Sequence, residues 1–233
     1  MKSKFLPLVV ASFLIFTSQS MAQLSKVAVG GGLNFTNYMG NLSQGNLGLN
    51  IRVSYDIFEK GTASAGFIYG FPLKSSYTAE ANSLSSQNSS SYIDVPAEMA
   101  INFKTFYVNF NYFFVKDNES PFGVYALLGA GLTVASFKTT YGPYDHSKYS
   151  IPGSSDDEPA EMGFIINGGA GLQAKVGPAV IFGEGLFGLP ATSVNGDAVE
   201  NNIPFSVGAN LGVKFHLGGS SNSSKKGKSK KRK

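Results

Sequence analysis

The stretch from Phe103 to Phe137 constrains the fold more than any other, because it reads as two long alternating strands joined by a polar turn. Phe106, Val108, Phe110, Tyr112 and Phe114 are apolar at every second position, with Thr105, Asn109 and Asn111 between them. Successive strand side chains point to opposite faces, so the pattern makes one apolar and one polar face. Lys116–Pro121 is turn chemistry throughout. Alternation then resumes, with Phe122, Val124, Ala126, Leu128, Ala130, Leu132 and Val134 in one row and Gly123, Tyr125, Gly129, Gly131 and Thr133 in the other. Each run holds ten or more alternating residues. Strands of water-soluble proteins are about five or six residues long, whereas a tilted bilayer-crossing strand needs about 9–11. The lengths predict a membrane-crossing hairpin, with the rings of Phe103, Phe106, Phe113, Phe114, Phe122 and Phe137 near the strand ends expected at the two bilayer interfaces.

The chain opens with Lys2 and Lys4, an apolar run over Phe5–Phe16 and the small-x-small triplet Ser20-Met21-Ala22. This is the pattern of a secretory signal peptide over residues 1–22, with Gln23 as the expected mature N-terminus. The run falls short of the roughly 20 apolar residues that a spanning helix needs. There is no cysteine, so an exported chain of this kind is held together without disulfides or a cysteine-linked lipid anchor. Basic charge is concentrated in the tail at Lys225, Lys226, Lys228, Lys230, Lys231, Arg232 and Lys233. With those seven residues and the two leader lysines set aside, ten of the 19 basic residues remain against 15 acidic ones, so the body is near −5. The basic overall balance therefore comes from the tail, and export excludes a nucleic-acid partner for it.

Six further strands follow the same alternation. Val27, Val29, Leu33 and Phe35 mark the first; Leu47, Leu49, Ile51, Val53 and Tyr55 the second; Ala63, Ala65, Phe67, Tyr69 and Phe71 the third. After the hairpin, Met162, Phe164, Ile166, Ala170 and Leu172 mark the sixth, Ala179–Leu189 the seventh, and Phe205, Val207, Ala209, Leu211, Val213, Phe215 and Leu217 the eighth. The links alternate in length. Asp56–Thr62, Val115–Pro121 and Val176–Pro178 are short, whereas Pro72–Asn102, Lys138–Glu161 and Pro190–Pro204 are long and Thr36–Asn46 is intermediate. Short periplasmic turns and long extracellular loops are the signature of an outer-membrane barrel. The expected fold is all-β: an eight-stranded antiparallel up-and-down transmembrane β-barrel over residues 23–217, with both mature termini periplasmic and a disordered basic tail over residues 218–233.

Other motifs carry less. Ser83–Ser91 and Asp156-Asp157-Glu158 read as solvated loop, and three adjacent acids are too few ligands for a calcium site. Gly183-Glu184-Gly185-Leu186-Phe187-Gly188 fits GxGxxG, but that fingerprint requires a helix opening at the motif, and this stretch reads as strand. His146 and His216 are the two histidines. Asp145-His146-Ser147 lies in one loop, and consecutive residues do not supply the converging geometry of a hydrolytic triad. No catalytic, cofactor-binding or metal-binding residue is assigned.

The pattern resembles the small eight-stranded outer-membrane barrels of Gram-negative bacteria, the OmpA-type and PorT-like group. Residues 210–217, Asn-Leu-Gly-Val-Lys-Phe-His-Leu, are most like a family-type final strand. Two features depart from it: there is no Trp, and the chain continues past the final aromatic strand into Gly218–Lys233. That tail is too short for a folded cell-wall-binding domain. The resemblance implies an integral outer-membrane protein in contact with lipid. Three roles stay open: a structural or surface-interaction barrel acting through its loops, a small diffusion channel, and an accessory part of an export or envelope-assembly machine with other envelope proteins as partners. A soluble β-barrel ligand carrier is the non-membrane alternative. The tail is expected to meet cell-wall carboxylates or anionic lipid.

Three charges fall within the strands. Parity turns Arg52 and Lys214 inward, away from mid-bilayer lipid where a basic side chain costs about 2–4 kcal/mol, and Glu184, whose charge lipid also disfavours though by less, fixes the facing of its strand. An eight-stranded barrel encloses a space that side chains can fill. The expectation is a plug in which Glu184 pairs with Arg52 or Lys214, with Asn50, Asn167 and Asn210 completing the hydrogen bonds.

Overall fold

The computed structural model describes residues 26–39, 44–84, 91–116, 121–152, 160–193 and 204–217. Its strands are β1 (Val27–Tyr38), β2 (Gln44–Phe58), β3 (Gly61–Gly70), β4 (Leu73–Ser83), β5 (Tyr92–Lys116), β6 (Phe122–Tyr141), β7 (Tyr149–Ser150), β8 (Ala160–Val176), β9 (Ala179–Ser193) and β10 (Ser206–His216). All pairings are antiparallel, and eight strands close on themselves in the order β1, β2, β3, β5, β6, β8, β9, β10. β1 seals the ring against β10 in unbroken register, from Ala28 opposite His216 to Tyr38 opposite Ser206. Closure leaves no open edge in the wall, which hydrocarbon demands of any spanning sheet.

Alternation sorts the side chains. Ile51, Val108, Leu128, Leu172 and Leu211 face outward with 61–65% of their surface exposed. A continuous belt of this kind suits lipid and not water. Tyr55, Phe58, Tyr112, Phe114, Phe122 and Phe215 gather toward the short-turn end of the belt. That end also carries both described chain ends, since Leu217 donates its amide to the Val27 carbonyl at 2.9 Å. The β8–β9 turn there needs a left-handed residue and has one, Gly177 at φ 60°.

Two sequence expectations are corrected. Phe103 and Phe113 belong to the inward row and are 1% exposed, so they do not sit at a bilayer interface. Phe103 stacks on Tyr38 at 4.1 Å and Phe113 meets Tyr125 at 4.8 Å. The segment Pro72–Asn102, read as a loop, forms β4 and the first part of β5. β5 is 25 residues and β6 is 20, well beyond a membrane crossing. Their excess, with β4 and β7, stands clear of the barrel as a small sheet on the end opposite the short turns. Ala79, Ala81, Val95, Ala97 and Ile151 form its own core, covered by Ile93, Tyr141, Tyr144 and Tyr149.

Candidate functional site

Inside the barrel the wall of β2 presents Asn50, Arg52 and Ser54, all buried, and β9 presents Phe182 and Glu184 from the opposite side. Arg52 and Glu184 meet as a fork, Nη1 to Oε1 and Nη2 to Oε2, both at 2.6 Å. Two parallel charge-assisted bonds fix direction as well as distance. The Tyr125 hydroxyl donates to Glu184 Oε1 at 2.7 Å, and Asn210 Nδ2 donates to Oε2 at 3.1 Å. Each carboxylate oxygen thus takes two donors. Behind the guanidinium, the Phe182 ring lies 3.9 Å from its carbon, a cation–π contact. Arg52 and Glu184 are 5% and 6% exposed, so both charges are buried and neutralise each other within the lumen.

A chain of neutral bonds extends the cluster around the wall. Asn34 donates to Asn210 Oδ1 at 2.8 Å, and Thr36 donates to Asn34 Oδ1 at 2.9 Å. The Tyr107 hydroxyl donates to Asn50 Oδ1 at 2.8 Å. Phe113, Tyr125 and Leu127, with Leu186 against them, pack as an apolar cluster beside it. On the side of the projecting sheet lies a cavity of about 60 Å³, lined by Ile68, Ile165 and Leu186 together with amide and hydroxyl groups that include Asn34, Asn109, Asn167, Thr105 and Tyr107.

Of the six lumen residues named from sequence, Arg52, Glu184 and Asn210 are in direct contact. Asn50 is held by Tyr107. Asn167 stands opposite Gly188, four residues along β9 from Glu184, and lines the cavity. Lys214 is buried on the inward row of β10, four residues from Asn210 toward the short turns. Sequence reasoning passed over Tyr107, Tyr125 and Phe182. Each lies directly across from a glycine in the register: Tyr107 from Gly66, Tyr125 from Gly171 and Phe182 from Gly212. A Cβ at Gly212 would come within 2.6 Å of the Phe182 ring, and Cβ atoms at Gly66 and Gly171 would overlap the two tyrosines. An inward aromatic opposite an inward glycine was the available signal.

The remaining expectations fall elsewhere. Residues 1–22, the acidic run at 156–158 and the tail Lys225–Lys233 lie outside the described residues. Asp145 accepts both the Ser147 amide at 3.0 Å and its hydroxyl at 2.6 Å, so it braces a turn. The Ser147 hydroxyl and amide, with Lys148 helping, hold the Asp145 carboxyl below the usual range. His146 packs its ring on Tyr144 at 4.0 Å and does not come between the two. The GxGxxG match lies within β9. Among the described residues no three His, Asp or Glu side chains come together as a metal site.

No sequence-family model matches the chain. No curated protein matches it either. Solved structures do resemble it. Neisserial surface protein A (NspA) is 14% identical with a TM-score of 0.51, over 82% of this chain and 97% of that one. Ail, the attachment invasion locus protein of Yersinia pestis, is 12% identical with a TM-score of 0.46, over 81% and 96%. The outer membrane protein OprG of Pseudomonas aeruginosa is 12% identical with a TM-score of 0.44, over 81% and 94%. At such identities the likeness is one of fold: NspA, the one of the three above 0.5, supports an eight-stranded barrel of the outer-membrane type.

Proposed function

We propose that this chain is an integral outer-membrane protein with a plugged lumen, which acts at the cell surface through the sheet projecting from its barrel. The observation that carries the reading is the buried Arg52–Glu184 fork, with all four carboxylate contacts supplied from the barrel wall. A pore that conducts steadily needs a hydrated path, and here the middle of the lumen is spent on internal pairing. The chain instead folds its excess length into a sheet with its own core outside the belt. Folded structure beyond the membrane serves contact with something outside. On this reading the short-turn end is periplasmic, and the tail meets cell-wall carboxylates or anionic lipid there.

The test combines two measurements on the full chain. Purified protein in planar bilayers is expected to show little steady conductance, while cells carrying it expose the projecting sheet to external protease. A stable, large ohmic conductance overturns the plug and promotes the diffusion channel. Recovery of the protein from the soluble periplasm overturns the membrane placement altogether.

A further inference from the structure

We infer that the edge of β4 left uncovered among the described residues pairs antiparallel with the same edge of a second copy, joining two molecules that stand on facing membranes. This rests on the proposed placement of the projecting sheet outside the cell.

β4 pairs with β5 along Leu73–Asn82, but on its other side β7 covers only Asn82 and Ser83. Among the described residues the edge from Lys74 to Ala81 carries no strand. The bond directions there can be read by parity. The Ser83 amide points to the Ser91 carbonyl beside β5, and the Leu84 amide points the other way, to Lys148. The even residues Lys74, Ser76, Thr78 and Glu80 therefore turn their N–H and C=O groups to the open side. Exposed edges are normally blunted by charged side chains, proline, a bulge or a covering segment. On β4 the edge charges are Lys74 and Glu80, of opposite sign and therefore complementary in a second copy. β4 contains no proline, and its ladder with β5 runs without a register shift.

Charge selects the partner. In an antiparallel pair centred on Tyr77, the middle of the open edge, Lys74 stands opposite the second copy's Glu80, and Ser76 opposite its Thr78. Both pairings join even residues, whose backbone groups face each other, so the hydrogen bonds and the side-chain register agree. Parallel in-register pairing would instead set Lys74 on Lys74 and Glu80 on Glu80. Glu80 also has a reason to take a cation from outside. It lies directly across from Asp94, and among the described residues neither acid has an ion pair. Like charges placed directly opposite are unfavourable. Lys74 has a partner, Glu98 at 2.8 Å, but both side chains are largely exposed and lie at the far end of the strand.

Direction then follows from the fold. β4 runs away from the barrel, so an antiparallel pair points its two barrels in opposite directions. Two copies in one membrane point the same way. The pair is therefore a bridge between opposed surfaces: main-chain bonds supply the adhesion and the two Lys74–Glu80 contacts supply the selectivity.

The experiment uses intact Gram-negative cells that do not clump, made to express the full chain in two fluorescent colours. Wild-type cells are expected to settle and form mixed clusters. Lys74→Glu and Glu80→Lys cells should each stay dispersed, while a mixture of these two variants should cluster, because both contacts become complementary again. The double swap in one chain should also cluster. Single variants that settle like wild type, or a mixture that stays dispersed, overturn the inference. Unheated gel mobility and protease access on the same cells separate the causes. A folded, protease-accessible protein that does not cluster removes this inference alone, whereas a protein absent from the surface removes the underlying reading.

Discussion

Glu184→Gln isolates what the fork contributes. The substitution keeps volume and removes the charge. Four donors converge on two oxygens in the native lumen: two from Arg52, one from Tyr125 and one from Asn210. The glutamine amide has a single acceptor oxygen, and its NH2 would face either the tyrosine hydroxyl and one guanidinium nitrogen or the asparagine and the other. At least two buried donors then lose their acceptor, at about 1–3 kcal/mol each. Arg52 also keeps its charge without a counter-ion, and breaking a buried pair from one side costs about 3–5 kcal/mol. These descriptions overlap, so the expected loss is about 3–5 kcal/mol in total. Phe182 does not offset it, because the ring already faces Arg52 in the native state. The assay is urea unfolding of the barrel refolded in lipid vesicles, followed by the mobility difference between unheated and boiled protein. Arg52→Met with Glu184→Leu removes both charges and should recover most of the loss, since a buried pair replaced by apolar groups is often neutral. A Glu184→Gln barrel within about 1 kcal/mol of wild type would refute the energetics of a buried pair, because that is the range of exposed ion pairs. A double variant no better than the single would refute the account in terms of stranded charge.

Gly171→Val should push the Tyr125 ring off Glu184 and destabilise the barrel by about 1–3 kcal/mol, the usual cost of overpacking; Gly183→Val, at an outward position where an added Cβ would meet only the Leu211 side chain in ordinary contact at 3.9 Å, should be close to neutral in the same assay. Asp145 is held below the usual carboxylate range chiefly by the Ser147 hydroxyl. Its bracing of the turn is therefore present above the ordinary carboxylate pKa and lost as pH falls through the lowered value. The Ser147 amide should lose protection against exchange, taken relative to its intrinsic rate at each pH, in that acid range, and Asp145→Asn should remove the acid step. Deleting Lys225–Lys233 should leave assembly unchanged and weaken salt-sensitive retention on cell wall; retention unchanged at every salt concentration would deny the tail that role.

The wall of the barrel was legible because lipid imposes one rule on every strand. β2 and β10 alternate apolar and polar residues without exception along their central parts, so parity alone gave their facing. The projecting sheet was not read, and the reason is physical. Outside the membrane β4 meets water on one face and only a small core on the other, where Ala79 and Ala81 are sufficient. Residues that small leave almost no periodic signal. β5 did carry one: Ile93, Val95, Ala97, Met99 and Ile101 extend the inward row of Phe103 backward, and Pro96 within it reads as a break. Its ring takes the place of an amide at Pro96, while the carbonyl still accepts from Gly142. In the lumen, sequence could name charges but not choose among their partners. That choice depends on which inward rings fit over which glycines, information that lies in the register between strands distant in sequence.

β5 also has a mechanical consequence. One unbroken strand, roughly 80 Å at about 3.3 Å per residue, runs from the outermost part of the projecting sheet to the opposite rim. Beside it, β6 stays in register from Tyr141 opposite Ala97 down to Gly123 opposite Lys116, with a single shift near Phe113. Tension applied to the sheet from outside would pass along these two strands and not across them. Pulled this way, the ladder is sheared, and many hydrogen bonds share the force at once; they do not open one after another as in unzipping. A tether built on a flexible loop would yield at its weakest residue. Here the anchorage is the whole side of the barrel, and Tyr107 and Tyr125, which hold Asn50 and Glu184 in the lumen, lie on the same two strands.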